Sequence, residues 1–206
     1  MGKMTLDQIN KMYPDVLTEI GNIGAGNATT AIANMLNLKI NMSVPHVELM
    51  PVEKITGAIG SEEEVVVGIM LGVENDITGS MMFLMDLPSA HHLVNRLMMR
   101  DADYDKDFDD MDMSAIKEIG NIIAGSYLSA LSGLTNMKIT PTVPYVAIDM
   151  AGAILSVPAI QFGMVGDNAL MIKTEMGDDL DISGYYILMP EGDSYQKILK
   201  ALGLPV

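Results

Sequence analysis

The sequence predicts an α/β (α+β) sandwich with internal pseudo-twofold symmetry, and three observations carry that expectation. The stretch Glu19-Ile20-Gly21-Asn22-Ile23-Gly24-Ala25-Gly26 returns as Glu118-Ile119-Gly120-Asn121-Ile122-Ile123-Ala124-Gly125, an offset of 99 residues in a chain of 206. Such an echo marks a duplicated unit. Each copy lies in a long segment with helical apolar spacing, and each is followed by short apolar runs of strand length. Strand pairs mixed with helices, twice over, stack as layers on a shared core. The expectation is a single domain of two fused halves, about residues 5–100 and about 112–204, with helices covering one side of each sheet.

Thr5 suits the cap of a short helical turn over residues 5–10, and Pro14 the first turn of a long helix to about Leu36. Val16, Leu17, Ile20, Ile23, Ile32, Met35 and Leu36 recur there at helical spacing. Ile40, Met42 and Val44 alternate with polar residues in a strand over 39–44 that Pro45 breaks, and 47–52 is its candidate continuation. Residues 65–71 and 78–85 read as antiparallel strands joined around Glu74-Asn75-Asp76, and Pro88-Ser89 opens a helix to about Met99. The acidic run 101–112 reads as a solvated linker between the halves. Its Asp101, Asp103 and Asp105 imitate an EF-hand loop, but Lys106 replaces the required glycine and Asp112 the bidentate glutamate. The second half repeats the order: helix 114–134, strand 138–143 ending at Pro144, a helical stretch 149–162, strands 169–174 and 181–188, and helix 194–202.

Composition excludes several chemistries. Without cysteine there is no disulfide, thiolate nucleophile or cysteine metal site. Three histidines make a histidine metal centre improbable, and His91 and His92 are adjacent, about 100° apart on a helix. A net charge of −15 with twelve basic residues opposes nucleic-acid and anionic-membrane binding and suits a partner with a basic patch. The longest apolar run, 65–73, has the length of a buried strand rather than a membrane helix, and the N-terminus lacks the apolar core of a signal peptide. The expected location is cytoplasmic. Twenty methionines read as flexible core filling, with an adaptable binding surface as the alternative. No Gly-x-Ser-x-Gly or Walker motif occurs, and the glycine string follows no strand as a dinucleotide site would require.

The repeated stretch holds the candidate chemistry. Glu and Asn at i and i+3 share one helix face, so a carboxylate and a carboxamide project together. Glycine inside a helix costs about 1 kcal/mol, so these glycines need a reason, such as close approach of another backbone from a neighbouring helix or a docked partner. Aligned outward, Asp15 matches Ser114 four residues before the glutamate, and Pro45 and Pro144 each follow the asparagine by 23 residues. Both copies read (Asp/Ser)-x3-Glu-x2-Asn-x22-Pro. In this pattern, and over essentially its whole length, the chain resembles the CheC/CheX/FliY family, specifically members with two sites and without the C-terminal switch domain of a FliY protein.

The resemblance implies hydrolysis of the aspartyl phosphate of CheY, the chemotaxis response regulator. An acyl phosphate is already activated, so holding a water in line with phosphorus is most of the task. A neutral carboxamide can orient that water without a shifted pKa. Asn22 and Asn121 would hold it, while Glu19 and Glu118 would engage a CheY lysine and dock the helix. Asp15 and Ser114 support the motif, although helix-start capping explains them equally well. Pro45 and Pro144 are expected to end a strand beneath the active helix. No cofactor or metal site of the chain's own is implied, the Mg2+ being supplied by CheY.

The resemblance implies a second partner, the receptor deamidase CheD. Residues 149–154, with Asp149, Ala151 and Gly152, resemble the region used for that docking and would suit a receptor-helix mimic. A plain helix packed on the sheet explains them as well. The implied state is a monomer or a heterodimer with CheD, and the alternative function is a non-catalytic adaptor for CheD or the flagellar switch. An adaptor leaves the lifetime of phosphorylated CheY unchanged, whereas an enzyme shortens it at substoichiometric amounts.

Overall fold

In the computed structural model, which describes residues 5–43, 46–162, 168–178 and 182–204, one order of elements occurs twice. After α1 (Leu6–Met12), the first pass runs α2 (Pro14–Leu36), β1 (Ile40–Met42), β2 (His46–Pro51), a 3-10 turn (Val52–Lys54) with α3 (Ile55–Ile59), β3 (Val65–Asn75), β4 (Gly79–Asp86) and α4 (Leu87–Leu97). The second runs α5 (Asp110–Thr135), β5 (Ile139–Pro141), β6 (Tyr145–Met150), α6 (Ala151–Phe162), β7 (Asn168–Asp178), β8 (Ile182–Pro190) and α7 (Ser194–Ala201). The architecture is the predicted α/β (α+β) sandwich.

Local signals explain most boundaries. The Thr5 hydroxyl accepts from the Gln8 N–H while the Gln8 side chain accepts from the Thr5 N–H, which satisfies two donors at the start of α1. Pro14 supplies a helical φ at the first position of α2. Asn37 and Asn136, again 99 residues apart, end α2 and α5 in the left-handed conformation at φ 51° and 55°.

The strands form one antiparallel sheet in the order β1-β7-β8-β4-β3-β5, with β2 also paired to β7 and β6 to β3. The halves are therefore interleaved, which differs from the expected separate sheets. β7 pairs with β1 and β2 of the first half, and β3 with β5 and β6 of the second. β4 and β8 join the halves at the centre, with Phe83 opposite Tyr186. Gly79, at φ 154°, sits where a Cβ would lie 2.8 Å from the Pro190 Cα, so that approach of β4 to β8 requires glycine.

Helices cover both faces. On one, α2 and α5 lie over a core including Ile20, Ile32, Ile69, Met81, Ile119 and Leu128. On the other, α3 and α6 close a second core including Ile55, Met82, Leu84, Ile154 and Ile187. Burial from both sides explains why β4 reads Gly-Ser-Met-Met-Phe-Leu-Met without polar alternation. Met50, Met81, Met82, Met85, Met171, Met176 and Met189 are core residues, whereas Met12, Met99, Met111 and Met150 are exposed. Among the described residues no helix is long and apolar enough to cross a membrane.

The acidic run departs from its reading as a solvated linker. Asp109 caps α5, accepting from the N–H groups of Met111 and Asp112 at 2.9 Å, so the helix starts at Asp110 rather than Ser114. Asp112 is only 2% exposed and meets Arg100 Nη1 at 2.7 Å. Burial opposes ionisation of this carboxyl, but the Arg100 hydrogen bond and the Asp109 N–H outweigh it and hold the group below the usual carboxylate range. Arg100 also lies over the Tyr104 ring, Asn95 donates to the Tyr104 carbonyl at 2.7 Å, and His91 stacks on Phe108. The segment is a strap from α4 to α5. Asp101, Asp103, Asp105, Asp107, Asp109 and Asp110 are exposed, and Asp112 is the buried carboxylate of the run.

Candidate functional site

The helix glycines set how α2 and α5 sit. A Cβ on Gly24 would overlap the ring of Tyr127 on α5, and one on Gly120 would overlap Ile69 of β3. The close neighbours are thus side chains, not the backbone that was expected. Tyr127 is buried and stacks on Tyr186, ring centroids 5.7 Å apart, and burial pushes both phenol pKa values above the ordinary tyrosine value. A Cβ on Gly26 or Gly125 would meet nothing within 4 Å.

With α5 so placed, Ser114, Lys117, Glu118 and Asn121 face Pro141, Thr142, Val143 and Pro144 across an open groove. Glu118 and Asn121 are exposed, one helical turn and about 4.5 Å of rise apart. Neither hydrogen-bonds or ion-pairs with another described residue, which leaves a carboxylate, a carboxamide oxygen and two amide donors open. The far wall is anchored: the Gly72 N–H donates to the Thr142 hydroxyl at 2.8 Å, and the Thr142 N–H to the Gly72 carbonyl at 2.9 Å. Pro144 is buried at the passage from β5 to β6. Ser114 is not a cap, because its hydroxyl donates to the Asp110 carbonyl one turn back.

On α2, Asp15 in the first turn and Glu19 one turn later are exposed. They border a shallow depression with Val16, Ile20, Leu134, Ala201 and Leu202. Asn22 is half-buried on the same helix. Pro45, the expected counterpart of Pro144, lies outside the described residues.

Residues 149–154 divide. Asp149 is exposed at the end of β6, but Ala151 is buried and donates its N–H to the Glu64 carbonyl, and the Gly152 N–H donates to that of Glu62. The helix expected over 149–162 starts at Ala151, and Asp149 belongs to a strand. Tyr145, Ile148 and Met150 on that strand are 65%, 36% and 46% exposed. Sequence reasoning missed them, along with Lys117 and Thr142. The run Tyr145-Val146-Ala147-Ile148 carried the aromatic and β-branched signal of a strand.

Comparison with known proteins gives the same repetition. The CheC-like family matches residues 12–49 and again 111–148. The CheY-P phosphatase CheC of Bacillus subtilis is 38% identical over 95% of this chain and 96% of its own. The chain belongs to the CheC-like family. Each of the two CheC-like segments contains one Glu-x2-Asn pair and one of the two prolines. The fold is shared with Thermotoga maritima FliY, at TM-score 0.73 and 22% identity over 92% of this chain and 94% of that one. It is shared also with CheX in the CheX-CheY-BeF3-Mg2+ complex from Borrelia burgdorferi, at TM-score 0.53 and 22% identity over 82% and 97%.

Proposed function

We propose that this CheC-like chain is a protein aspartyl-phosphate phosphatase acting on phosphorylated CheY, as the name of its Bacillus subtilis relative states for that protein. One observation carries the reading: Glu118, Asn121 and Pro144 line a single groove in which the side chains of Glu118 and Asn121 are unengaged by other described residues. In the proposed reaction a water attacks phosphorus in line. The bond from phosphorus to the aspartyl oxygen breaks, giving inorganic phosphate and the free aspartate. Asn121, and Asn22 in the other half, accept a hydrogen bond from that water and hold its lone pair toward phosphorus. Glu118 and Glu19 engage a lysine of CheY and fix the depth of docking. Ser114 and Asp15 form the rim one turn toward the helix start, and Pro144 forms the wall of the α5 groove.

We assign no metal to this chain and the Mg2+ of the reaction to CheY. We assign one site to each of two fused halves, residues 5–100 and 112–204, of a single domain working beside CheY in the cytoplasm. For CheD, the exposed strand β6 is the better docking surface, with Tyr145 and Asp149 on one of its faces and Ile148 and Met150 on the other, since Ala151 is buried and the Gly152 N–H is tied to Glu62. The chain would be a monomer alone or a heterodimer with CheD.

The test is phosphate release from phosphorylated CheY by wild type, Asn22→Ala, Asn121→Ala and the double variant. Each single variant should keep the other site's turnover. The double should lose about a hundredfold or more, the size of a lost preorganised polar contact, while remaining folded because alanine is the better helix residue. A folded double variant with most of its activity overturns the assignment. Wild type that leaves the lifetime of phosphorylated CheY unchanged favours the adaptor.

A further inference from the structure

The two candidate sites are not electrically alike. Ninety-nine residues before Lys117 stands Thr18, and before Ser114 stands Asp15. At matching places the α2 site therefore carries two acids, Asp15 and Glu19, whereas the α5 groove carries Lys117 and Glu118 and sums to zero. Lys117 is exposed, lines the groove, and makes no ion pair or hydrogen bond with another described residue. The adjacent Glu118 points about 100° away around the helix and does not face it. Asn121, by contrast, is four residues on and on the same face, with Cβ atoms about 5–6 Å apart.

We infer that Lys117 is a positioning residue that contacts an anionic oxygen of the docked regulator and makes the α5 groove the more anion-tolerant of the two sites. This rests on the phosphatase reading. An ammonium on a flexible four-carbon stem offers three donors, one turn from the carboxamide that must meet the phosphoryl group. The oxygen it meets belongs either to that phosphoryl group or to a carboxylate of the regulator beside it. On a chain of net charge −15, an uncommitted cation at this spot offsets repulsion that the α2 site leaves in place.

The test uses the Asn22→Ala background, in which turnover comes from the α5 groove. Lys117→Thr should raise KM roughly two- to fivefold, the size of an exposed charge pair, with kcat retained and a weaker response of KM to salt. Lys117→Arg should restore KM, and Lys117→Glu should be worse than Lys117→Thr. Lys11→Thr, which removes the same charge from α1, should leave KM unchanged. In the Asn121→Ala background, Thr18→Lys should lower KM. Binding to phosphorylated and unphosphorylated CheY separates the two oxygen sources: loss confined to the phosphorylated form assigns the contact to the phosphoryl group, and equal loss assigns it to a carboxylate. An unchanged KM in Lys117→Thr, or Lys117→Glu binding as well as Lys117→Thr, overturns the inference. Turnover surviving in the Asn22→Ala/Asn121→Ala variant would instead overturn the catalytic reading, while the binding measurements still decide the role of Lys117.

Discussion

Gly24 and Gly26 stand two positions apart on one helix, and alanine should act oppositely at them. Both changes gain helix propensity, about 1 kcal/mol, in part by restricting the unfolded chain. At Gly26 nothing lies within 4 Å of the new methyl, so the gain should appear in full and raise the unfolding temperature by about 2–4 °C for a chain of this length. At Gly24 the methyl overlaps the Tyr127 ring. That ring is fully buried and stacked on Tyr186, so it cannot swing aside, and overpacking of this kind costs about 1–3 kcal/mol. The variants should thus differ by about 1–3 kcal/mol, with Gly26→Ala above wild type and Gly24→Ala level with it or below. Gly120→Ala, against the β-branched Ile69, and Gly125→Ala, facing open space, should repeat the contrast on α5. Urea unfolding at constant m value reads the difference directly. Gly24→Ala as stable as Gly26→Ala would refute the packing argument.

The carboxyl of Asp112 titrates below its unfolded pKa of about 3.9, so its contribution is complete above that pH and is lost as pH falls through the lower folded value. Asp112→Asn should therefore unfold earlier than wild type by a constant margin from pH 7 to 5, with the margin closing below about pH 4; a margin that persists into strong acid would contradict the ion pair. If Glu19 and Glu118 dock on a lysine, affinity for CheY should weaken with added salt, and Glu19→Gln with Glu118→Gln should remove most of that response. Affinity independent of ionic strength would mean apolar docking. Asp149→Lys should impair CheD binding in a pull-down while phosphate release stays near wild type, and loss of both would indicate one shared surface.

The legible parts were those with local chemistry. Pro14 and the apolar spacing located α2 to its ends, and Glu19, Asn22, Glu118 and Asn121 stood out because they recur. The pairing of β7 with β1 and β2 was not legible, since nothing in those short runs names a partner so distant in sequence. The start of α5 was lost because Asp109 and Asp112, inside an acidic run, look alike in composition whether solvated or buried against Arg100. β6 was hidden by extending the following helix back to Asp149. Lys117 escaped for the opposite reason to its neighbours: it is one of the places where the two copies disagree.

The interleaving of the sheet ties the fates of the two sites. A fragment ending near residue 100 would leave β3 bare along the side where β5 and β6 pair, and would leave β1 and β2 without β7. Neither half can hold its own long helix over a finished layer. The two candidate sites must therefore melt together, and a substitution in a second-half strand such as β7 reaches Asn22 by removing the floor beneath α2.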